Sequence, residues 1–303
     1  MVVLRTNMTL PGTIFCATAF PLIGIFGTIC NYLLCAAIHN TKHLRTFANN
    51  LIFSLSISNM LACSVTISVA TVSIFDINIF GLSVVISETT IFCVMSALLH
   101  LAVISIENYS HIFQPQKRSS HRYITYIIPW LWITAFSYTL LVAILRQFVT
   151  IWFAACHFIW YLITTTIIIV CYVRVLRKLN QHRRHFSIFQ NYSQNRRRLD
   201  TKTTHMILVL AAMLTINWLP AISVYIAFII TYSNTKLSDT FREPFNILSI
   251  LGYIGHAFMP LVYAHYNSKF RLGMKRELYK IRHCRFRKSK KQVVPLGLST
   301  RNP

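Results

Sequence analysis

The sequence predicts an all-α membrane protein, a seven-transmembrane helix bundle followed by a short amphipathic helix. Of its 303 residues, 54% are hydrophobic and only 12% are charged, and the mean hydropathy is +0.51. The hydrophobic residues lie in seven runs of roughly twenty or more, the length that a helix needs to cross a bilayer. A soluble domain would carry about a quarter charged residues and would alternate apolar and polar faces. The composition therefore favours an integral membrane protein.

The seven hydrophobic runs are separated by polar or basic segments. In lipid every backbone polar group must be paired within the protein, so runs of this length are predicted to be helices. The first run is longer than the core of a signal peptide and lacks a small-residue cleavage site, so we expect it to remain as the first membrane helix. In chain order the predicted helices cover residues 12–38, 48–74, 84–113, 123–145, 152–177, 204–232 and 244–266.

The distribution of basic residues predicts the orientation of the bundle. Most Lys and Arg follow the first, third and fifth runs or lie in the tail from Lys269 onward, and this side is predicted to be cytosolic. We therefore expect a plasma-membrane protein with an extracellular amino terminus (residues 1–11), a seven-helix membrane domain (residues 12–282) and a basic cytosolic tail (residues 283–303). The basic residues on the opposite side are Arg5, Arg146, Lys236 and Arg242.

The net charge of +23 follows this membrane topology, so no nucleic-acid partner is expected. The basic segment 180–200 is expected to extend the fifth and sixth helices into the cytosol. It either attracts anionic lipid headgroups or only enforces the topology. Residues 267–282 mix apolar and basic residues, a pattern suited to a helix on the membrane surface. Membrane lipids are thus predicted partners, and Cys284 is a candidate for acylation.

Other single residues suggest modification but no metal chemistry. Asn7 begins an Asn-Met-Thr sequon on the predicted outer side and is a candidate for glycosylation. The sequons at Asn108 and Asn191 fall on the predicted cytosolic side and are expected to stay unmodified. The eight cysteines have no C-x-x-C spacing and lie mostly in apolar runs. We expect them to be buried small side chains, and we expect no metal site.

Three predicted helices carry short motifs in a consistent order. The third ends in an acid-x-Tyr triplet, the sixth has a Trp-x-Pro triplet whose proline kinks the helix, and the seventh has a Pro-x-x-Tyr motif followed by Phe-Arg. These residues are Glu107, Asn108 and Tyr109; Trp218 and Pro220; and Pro260, Tyr263, Phe270 and Arg271. Together they resemble the rhodopsin-like (class A) G protein-coupled receptors over about residues 12–282. Positions that agree are Asn31, Asn59, Trp130 or Trp132, and Tyr172.

The resemblance implies a cell-surface receptor that passes the binding of an outside ligand to a heterotrimeric G protein inside. The alternative is a receptor-like protein without G protein signalling, such as a scavenger or dimer partner, because Asn108 replaces the family's arginine. An enzyme is not expected, since paired carboxylates, a metal triad and a nucleophile motif are missing; no cofactor is expected either. The residues implied in activation and coupling are Glu107, Asn108, Tyr109, Tyr172, Trp218, Pro220, Pro260 and Tyr263.

The resemblance also implies a ligand site that opens outside, between helices three, five, six and seven. Because most of its residues are apolar or aromatic, we expect a small, largely apolar or aromatic ligand such as a lipid or a short peptide. An amine is disfavoured by Thr90, where amine receptors have an acid, and retinal is excluded by Tyr253, where opsins have lysine. His157 and His256 are each either a polar ligand contact or a packed, hydrogen-bonded histidine. The implied lining residues are Thr90, Ile91, Val94, Trp160, Tyr161, Trp218, Ile222, Tyr225 and Tyr253.

Several positions depart from the family's pattern. Neutral Asn59 and apolar Met259 replace residues near the family's sodium ion, and no carboxylate would offset the desolvation of a cation, so we predict no sodium modulation. No cysteine lies near Ser83, so the family's extracellular disulfide is expected to be absent. The fifth helix has threonines at 164–166 instead of a central proline. Together with the short loop at 146–151, these departures are similar to the melanocortin, cannabinoid and lysophospholipid receptors.

Overall fold

The structure is a computed structural model of the chain, and the residues it describes form helices and short turns without a β-strand. The backbone is described for residues 9–75, 80–113, 121–148, 150–185, 191–230 and 240–291. Side chains are described for residues 9–69, 85–113, 125–144, 158–178, 202–227, 240–241 and 243–283.

Eight α-helices follow one another along the described parts of the chain. They are α1 (Leu10–Asn40), α2 (Phe47–Phe75), α3 (Phe80–Phe113), α4 (His121–Phe148), α5 (Thr150–His185), α6 (Asn191–Ile230), α7 (Arg242–Tyr266) and α8 (Ser268–Lys291). The first seven are long and apolar enough to cross a membrane, which confirms the predicted seven-helix bundle with a further helix after it. We call the end of the bundle where α1 begins the outer end, and the opposite end the inner end.

Three helices, α5, α6 and α8, extend furthest beyond their predicted limits. α5 continues to His185 and α6 begins at Asn191, so helix fills most of the basic segment 180–200. α8 continues to Lys291, past the predicted boundary at residue 282. Hydropathy marks where lipid ends, whereas Arg, Lys and Gln are good helix formers and let the backbone ladder continue into water.

The first helix packs closely on its neighbours because glycines face them. A Cβ on Gly24 would overlap the Thr66 side chain of α2, and a Cβ on Gly27 would overlap Cys63 of α2 and Ala257 of α7. Small residues of this kind let membrane helices approach closely enough for backbone and side-chain packing to hold them together. Gly27 therefore marks the line along which α1 meets both α2 and α7.

At the outer end, the residue that caps α1 is also bound by the first turn of α7. The Thr9 side chain accepts the Gly12 backbone N–H at 3.3 Å, as an N-cap residue does. The Thr9 backbone N–H donates to one carboxylate oxygen of Glu243 at 3.0 Å, and the Thr9 hydroxyl donates to the other at 2.7 Å. We call this pair of bonds the Thr9–Glu243 clasp.

A buried polar cluster joins α2, α3 and α4. His100 is completely buried; its Nδ1 donates to the Ser96 carbonyl at 2.7 Å, and its Nε2 accepts from the Ser54 hydroxyl at 2.8 Å. Trp132 of α4 donates its indole N–H to the same Ser54 oxygen at 2.9 Å. Trp130 is 65% exposed. Of the two tryptophans that the sequence leaves open, Trp132 is therefore the one that packs inside.

The last helix, α8, lies against the inner end of α1. Phe270 and Met274 are buried, and a Cβ on Gly273 would come within 2.9 Å of the Ala37 Cβ in α1. Further apolar residues of α8 are exposed among basic residues, which agrees with the predicted amphipathic character. Its exposed apolar residues are Leu272, Leu278 and Ile281.

Candidate functional site

Trp218, in the outer half of α6, is the residue around which the candidate site is built. Its side chain is buried. Gly252 lets α7 approach the indole so closely that a Cβ there would overlap the ring. The Tyr253 ring meets the indole with centroids 5.3 Å apart and an angle of 67° between the planes, an edge-to-face geometry that aromatic pairs favour. Consecutive residues of α7 thus confine Trp218.

Tyr253 also joins α7 to α3 on the outer side of Trp218. The hydroxyl oxygens of Thr90 and Tyr253 are 2.8 Å apart. Thr90 gives its own proton to the Ile86 carbonyl at 2.9 Å, so Tyr253 is the donor of the shared bond. Phe20 of α1 meets the Tyr253 ring edge-on, with centroids 5.9 Å apart. Two hydroxyls therefore satisfy each other in surroundings that are otherwise apolar.

On the inner side of Trp218, hydrogen bonds lead from α6 through α7 to α2 and α1. The indole N–H donates to Nε2 of His256 at 3.3 Å, and Nδ1 of His256 lies 2.8 Å from the Asn59 side-chain oxygen. The Asn59 amide donates to the Met259 sulfur at 3.1 Å and to the Asn31 side-chain oxygen at 3.4 Å. The Asn31 amide in turn donates to the His256 carbonyl at 3.2 Å. We call these five residues the buried polar chain.

Nearer the outer end, a small apolar cluster lies apart from the main core. It is centred on Val142 of α4, which is completely buried. Tyr225 of α6 belongs to this cluster and also meets the Phe245 ring of α7, with centroids 5.5 Å apart. The cluster provides half-buried aromatic surface between α3, α4 and α6. Its other members are Ile91, Tyr138, Ile226 and Phe241.

The two predicted ligand residues on α5 face different helices. Tyr161 donates its hydroxyl to the Thr215 carbonyl of α6 and is buried. Trp160 stacks on Tyr138 of α4, with centroids 5.2 Å apart and planes within 25°. The Trp160 indole N–H has no hydrogen-bond partner among the described residues. Tyr161 therefore secures α5 to α6, while Trp160 presents an unused donor beside an aromatic face.

At the inner end, α3 is joined to both α6 and α5. The Asn108 side-chain amide donates to the Thr204 hydroxyl of α6 at 3.2 Å. The Tyr109 ring stacks on Phe113 with centroids 4.3 Å apart. Lys178 of α5 lies 4.0 Å from the centroid of the Phe113 ring and donates to the Phe113 carbonyl at 3.4 Å. The residue that replaces the family's arginine thus makes a neutral bond to α6.

Tyr263 lies in the last turns of α7 and is completely buried. Its ring packs on Phe270 of α8 with centroids 5.8 Å apart, and its hydroxyl has no hydrogen-bond partner among the described residues. Pro260 and Pro220 lie inside α7 and α6, where each removes one backbone hydrogen bond. Half-buried residues implied in coupling are Glu107, Asn108, Tyr109 and Tyr172.

The structure brings most of the predicted ligand residues into two neighbouring groups. Thr90, Tyr253 and Trp218 form one line of contacts from α3 through α7 to α6. Ile91 and Tyr225 share the apolar cluster around Val142. Two further predicted residues, Val94 and Ile222, pack into or against the main core.

The sequence did not identify several residues that complete this site. Phe20, Tyr138 and Phe245 supply aromatic contacts from α1, α4 and α7, and a lone aromatic residue in an apolar run carries no signal of its own. His256 was left open between two roles; the structure gives it the packed, hydrogen-bonded one.

Some sequence predictions fall outside what the structure describes. Asn7 and the side chains of Ser83, His157 and Cys284 are among them, so the predictions of glycosylation, acylation and a missing outer disulfide stay predictions. The cysteines with described side chains are free. Among the described residues no group of three or more His, Cys, Asp or Glu side chains could hold a metal ion.

The match to known proteins agrees with the three motifs. Residues 30–263, more than half of the chain, match the family model of the 7 transmembrane receptor (rhodopsin family). The chain therefore belongs to the rhodopsin family of seven-transmembrane receptors and is a multi-pass membrane protein. A curated relative is the RYamide receptor of Drosophila melanogaster, which is 24% identical in an alignment 291 residues long that covers 83% of this chain. The chain spans about 60% of the length of that relative.

Proposed function

We propose that the chain is a cell-surface G protein-coupled receptor that transduces a small, largely apolar or aromatic extracellular ligand to heterotrimeric G proteins. The family supports the receptor class. The line of contacts from Thr90 through Tyr253 to Trp218 supports the other part of the proposal, that binding of a ligand is passed on to α6. It connects the outer half of α3 with the outer half of α6, where Pro220 removes a backbone bond two residues after the tryptophan.

The proposed ligand binds against aromatic and aliphatic surface rather than a charge. Tyr225 and Phe245 offer neighbouring rings, and the polar pair of Thr90 and Tyr253 already satisfies itself. Trp160 adds one indole N–H without a partner among the described residues. Such a site favours a ligand with a large apolar area and at most a few hydrogen-bond acceptors.

Signalling follows if the ligand favours one of two arrangements of the bundle. A ligand that moves the Tyr253 ring also changes the edge contact with Trp218. Movement of α6 at that point acts on its inner end, where Thr204 bonds Asn108. The proposed active arrangement separates α6 from α3 there and opens a surface for the G protein.

The proposal is tested with the full-length chain in cells that report G protein activation. The compound library contains lipids, aromatic small molecules, short peptides and RYamide, since the relative's name states that ligand. For an agonist found this way, Tyr225→Ala and Tyr253→Ala should raise the half-maximal concentration by about tenfold or more, a loss of about 1.4 kcal/mol of binding.

The matched control for these variants is Tyr126→Ala, because Tyr126 is 67% exposed on α4 and lies away from the site. It should leave the response unchanged. Surface expression of every variant is measured with an epitope tag, so that lost binding is separated from lost protein. An unchanged response to the agonist in both Tyr225→Ala and Tyr253→Ala would refute the ligand site.

The neutral contact between Asn108 and Thr204 favours a second candidate function, a receptor-like protein that does not activate G proteins. An asparagine lacks the fixed charge and the five donors of the family's arginine. The variant Asn108→Arg decides between the two functions. Basal G protein activation that appears only in Asn108→Arg supports the silent protein, whereas ligand-dependent activation in the unchanged chain supports the receptor.

A further inference from the structure

We propose that His256 is a positioning residue that holds the Trp218 indole through its Nε2 lone pair, and that Asn59 maintains this bond by fixing the tautomer of the imidazole. Asn59 bonds the opposite ring nitrogen. The buried polar chain thereby makes the position of a side chain on α6 depend on a residue of α2.

The chemistry of the partners determines the direction of every bond at His256. An indole N–H can only donate, so Nε2 of His256 must be the acceptor in its 3.3 Å bond with Trp218. In a neutral imidazole the proton is then on Nδ1, which donates to the Asn59 side-chain oxygen at 2.8 Å. The amide nitrogen of Asn59 is left to donate to Met259 and Asn31, as the distances require.

The residues of this arrangement are buried, so the loss of one hydrogen bond is not compensated by solvent. His256, Asn59 and Asn31 are all 0% exposed, and Trp218 is 5% exposed. At this depth a lost partner is not replaced by bulk water, so loss of the Asn59 oxygen would leave the Nδ1 proton of His256 without an acceptor. Removing the Asn59 oxygen would free His256 to adopt the other tautomer, in which Nε2 carries a proton and repels the indole N–H.

Packing alone would not fix the orientation of the Trp218 indole. Gly252 and Tyr253 confine its face and edge, but neither one binds its nitrogen. His256 lies one turn further along α7 and supplies the only acceptor that the described residues give to this N–H. The hydrogen bond therefore selects one orientation of the indole among those that the surrounding rings would permit.

The first test measures the tautomer of His256 in the unchanged, full-length protein. Nitrogen-15 NMR of the histidine-labelled chain in detergent micelles distinguishes a protonated Nδ1 from a protonated Nε2, and the His256 signals are assigned by their loss in His256→Gln. We expect a neutral ring with the proton on Nδ1. A ring with the proton on Nε2, or on both nitrogens, would overturn the proposal.

The second test follows the Trp218 indole N–H in the tryptophan-labelled protein, assigned by its loss in Trp218→Phe. His256→Leu removes the acceptor and should move this proton resonance upfield. His256→Gln keeps one acceptor and one donor on the same side chain and should restore most of the original shift. An indole resonance that stays in place in His256→Leu would show that His256 does not hold it.

The role of Asn59 is tested by comparison with a matched neighbour. Asn59→Leu should shift or split the Trp218 resonance, because the His256 tautomer is no longer fixed. Met259→Leu removes a partner of Asn59 but leaves the oxygen that accepts from His256, so it should leave the Trp218 resonance unchanged. Equal shifts in the two variants would indicate general packing and would overturn the assignment to Asn59. If His256→Leu does not fold, the tautomer measurement and Asn59→Leu still decide the question.

Discussion

Two buried tyrosines in α7 differ in whether the side-chain hydroxyl has a hydrogen-bond partner. Tyr253 donates its hydroxyl proton to Thr90 at 2.8 Å, whereas the Tyr263 hydroxyl has no partner among the described residues although its residue is completely buried. A buried polar group without a partner costs about 1–3 kcal/mol, and a satisfied one contributes about 0.5–1.5 kcal/mol. The two residues therefore contribute with opposite signs to the stability of this arrangement.

Removal of these two hydroxyls gives the first prediction. Tyr263→Phe should stabilise the described arrangement by about 1 kcal/mol, because it deletes an unsatisfied group and keeps the ring contact with Phe270. Tyr253→Phe should destabilise it by a similar amount. Thermal unfolding of the purified chain in detergent measures both. Shifts of the same sign in the two variants would contradict the assignment of the hydroxyls.

The second prediction concerns sodium. The Asn59 oxygen, which could serve a cation, already accepts from His256, and the Asn59 amide contacts the Met259 sulfur. With no carboxylate in this set, the desolvation of Na⁺ is not offset. Exchange of NaCl for choline chloride at equal ionic strength should leave the melting temperature unchanged. A rise in melting temperature that saturates with sodium concentration would show that a cation does bind.

The residues of the buried polar chain show what the sequence could and could not predict. Asn31 and Asn59 stand out because a polar amide inside an apolar run usually bonds another helix, and the structure joins them at 3.4 Å. His256 carries no such unambiguous signal, since a buried histidine serves equally well as a ligand contact or a packed residue. Its bonds depend on which atoms of α2 and α6 lie beside it, and that information is tertiary.

At the scale of the elements, the junction of α3 and α6 is one place where the chain departs from the family pattern. Thr204 is 1% exposed, and its hydroxyl accepts from the Asn108 amide at 3.2 Å. A neutral bond of this kind contributes about 0.5–1.5 kcal/mol. It is weaker than a charged contact and less sensitive to salt. This bond therefore makes only a modest contribution to holding the inner end of α6 against α3.

The third prediction tests this bond with a double-mutant cycle. Thr204→Val keeps the shape of the side chain and removes the acceptor, and Asn108→Ala removes the donor. Each single variant should lower the free energy of unfolding by about 0.5–1.5 kcal/mol, and the double variant should lose less than the sum of the two. Thermal unfolding supplies the values. Strictly additive losses would show that the two side chains do not interact.

The ends of the helices were less predictable than their middles. The seven apolar runs mark the membrane spans well, because each must satisfy its own backbone in lipid. They do not show where a helix stops in water. The basic segment 180–200 was expected to extend the fifth and sixth helices, and α5 does reach His185 while α6 begins at Asn191, but the residues at which they end could not be predicted. The choice between Trp130 and Trp132 was equally open, since the two residues lie on nearly opposite faces of α4 and an apolar run does not show which face packs inside.

At the scale of the whole molecule, the unequal distribution of Lys and Arg predicts an amino terminus outside the cell. This fourth prediction is checked with an antibody against an amino-terminal tag, which should bind intact cells. Glycosidase treatment should increase the electrophoretic mobility of the chain, and Asn7→Gln should abolish that change. Asn191→Gln is the matched control and should have no effect. Antibody binding only after permeabilisation would reverse the orientation.

The contacts of α7 with α1 also bear on how the protein is made. The Thr9–Glu243 clasp joins residues 234 positions apart, and the bond from Asn31 to the His256 carbonyl spans 225. Because synthesis proceeds from the amino terminus, α1 enters the membrane long before α7, which packs against Gly27, has been made. Until then Gly27 and Asn31 have their α2 partners, Cys63 and Asn59, but lack Ala257 and the His256 carbonyl of α7. The seventh helix therefore completes the contacts of α1, since it supplies both Glu243 for Thr9 and the His256 carbonyl for Asn31.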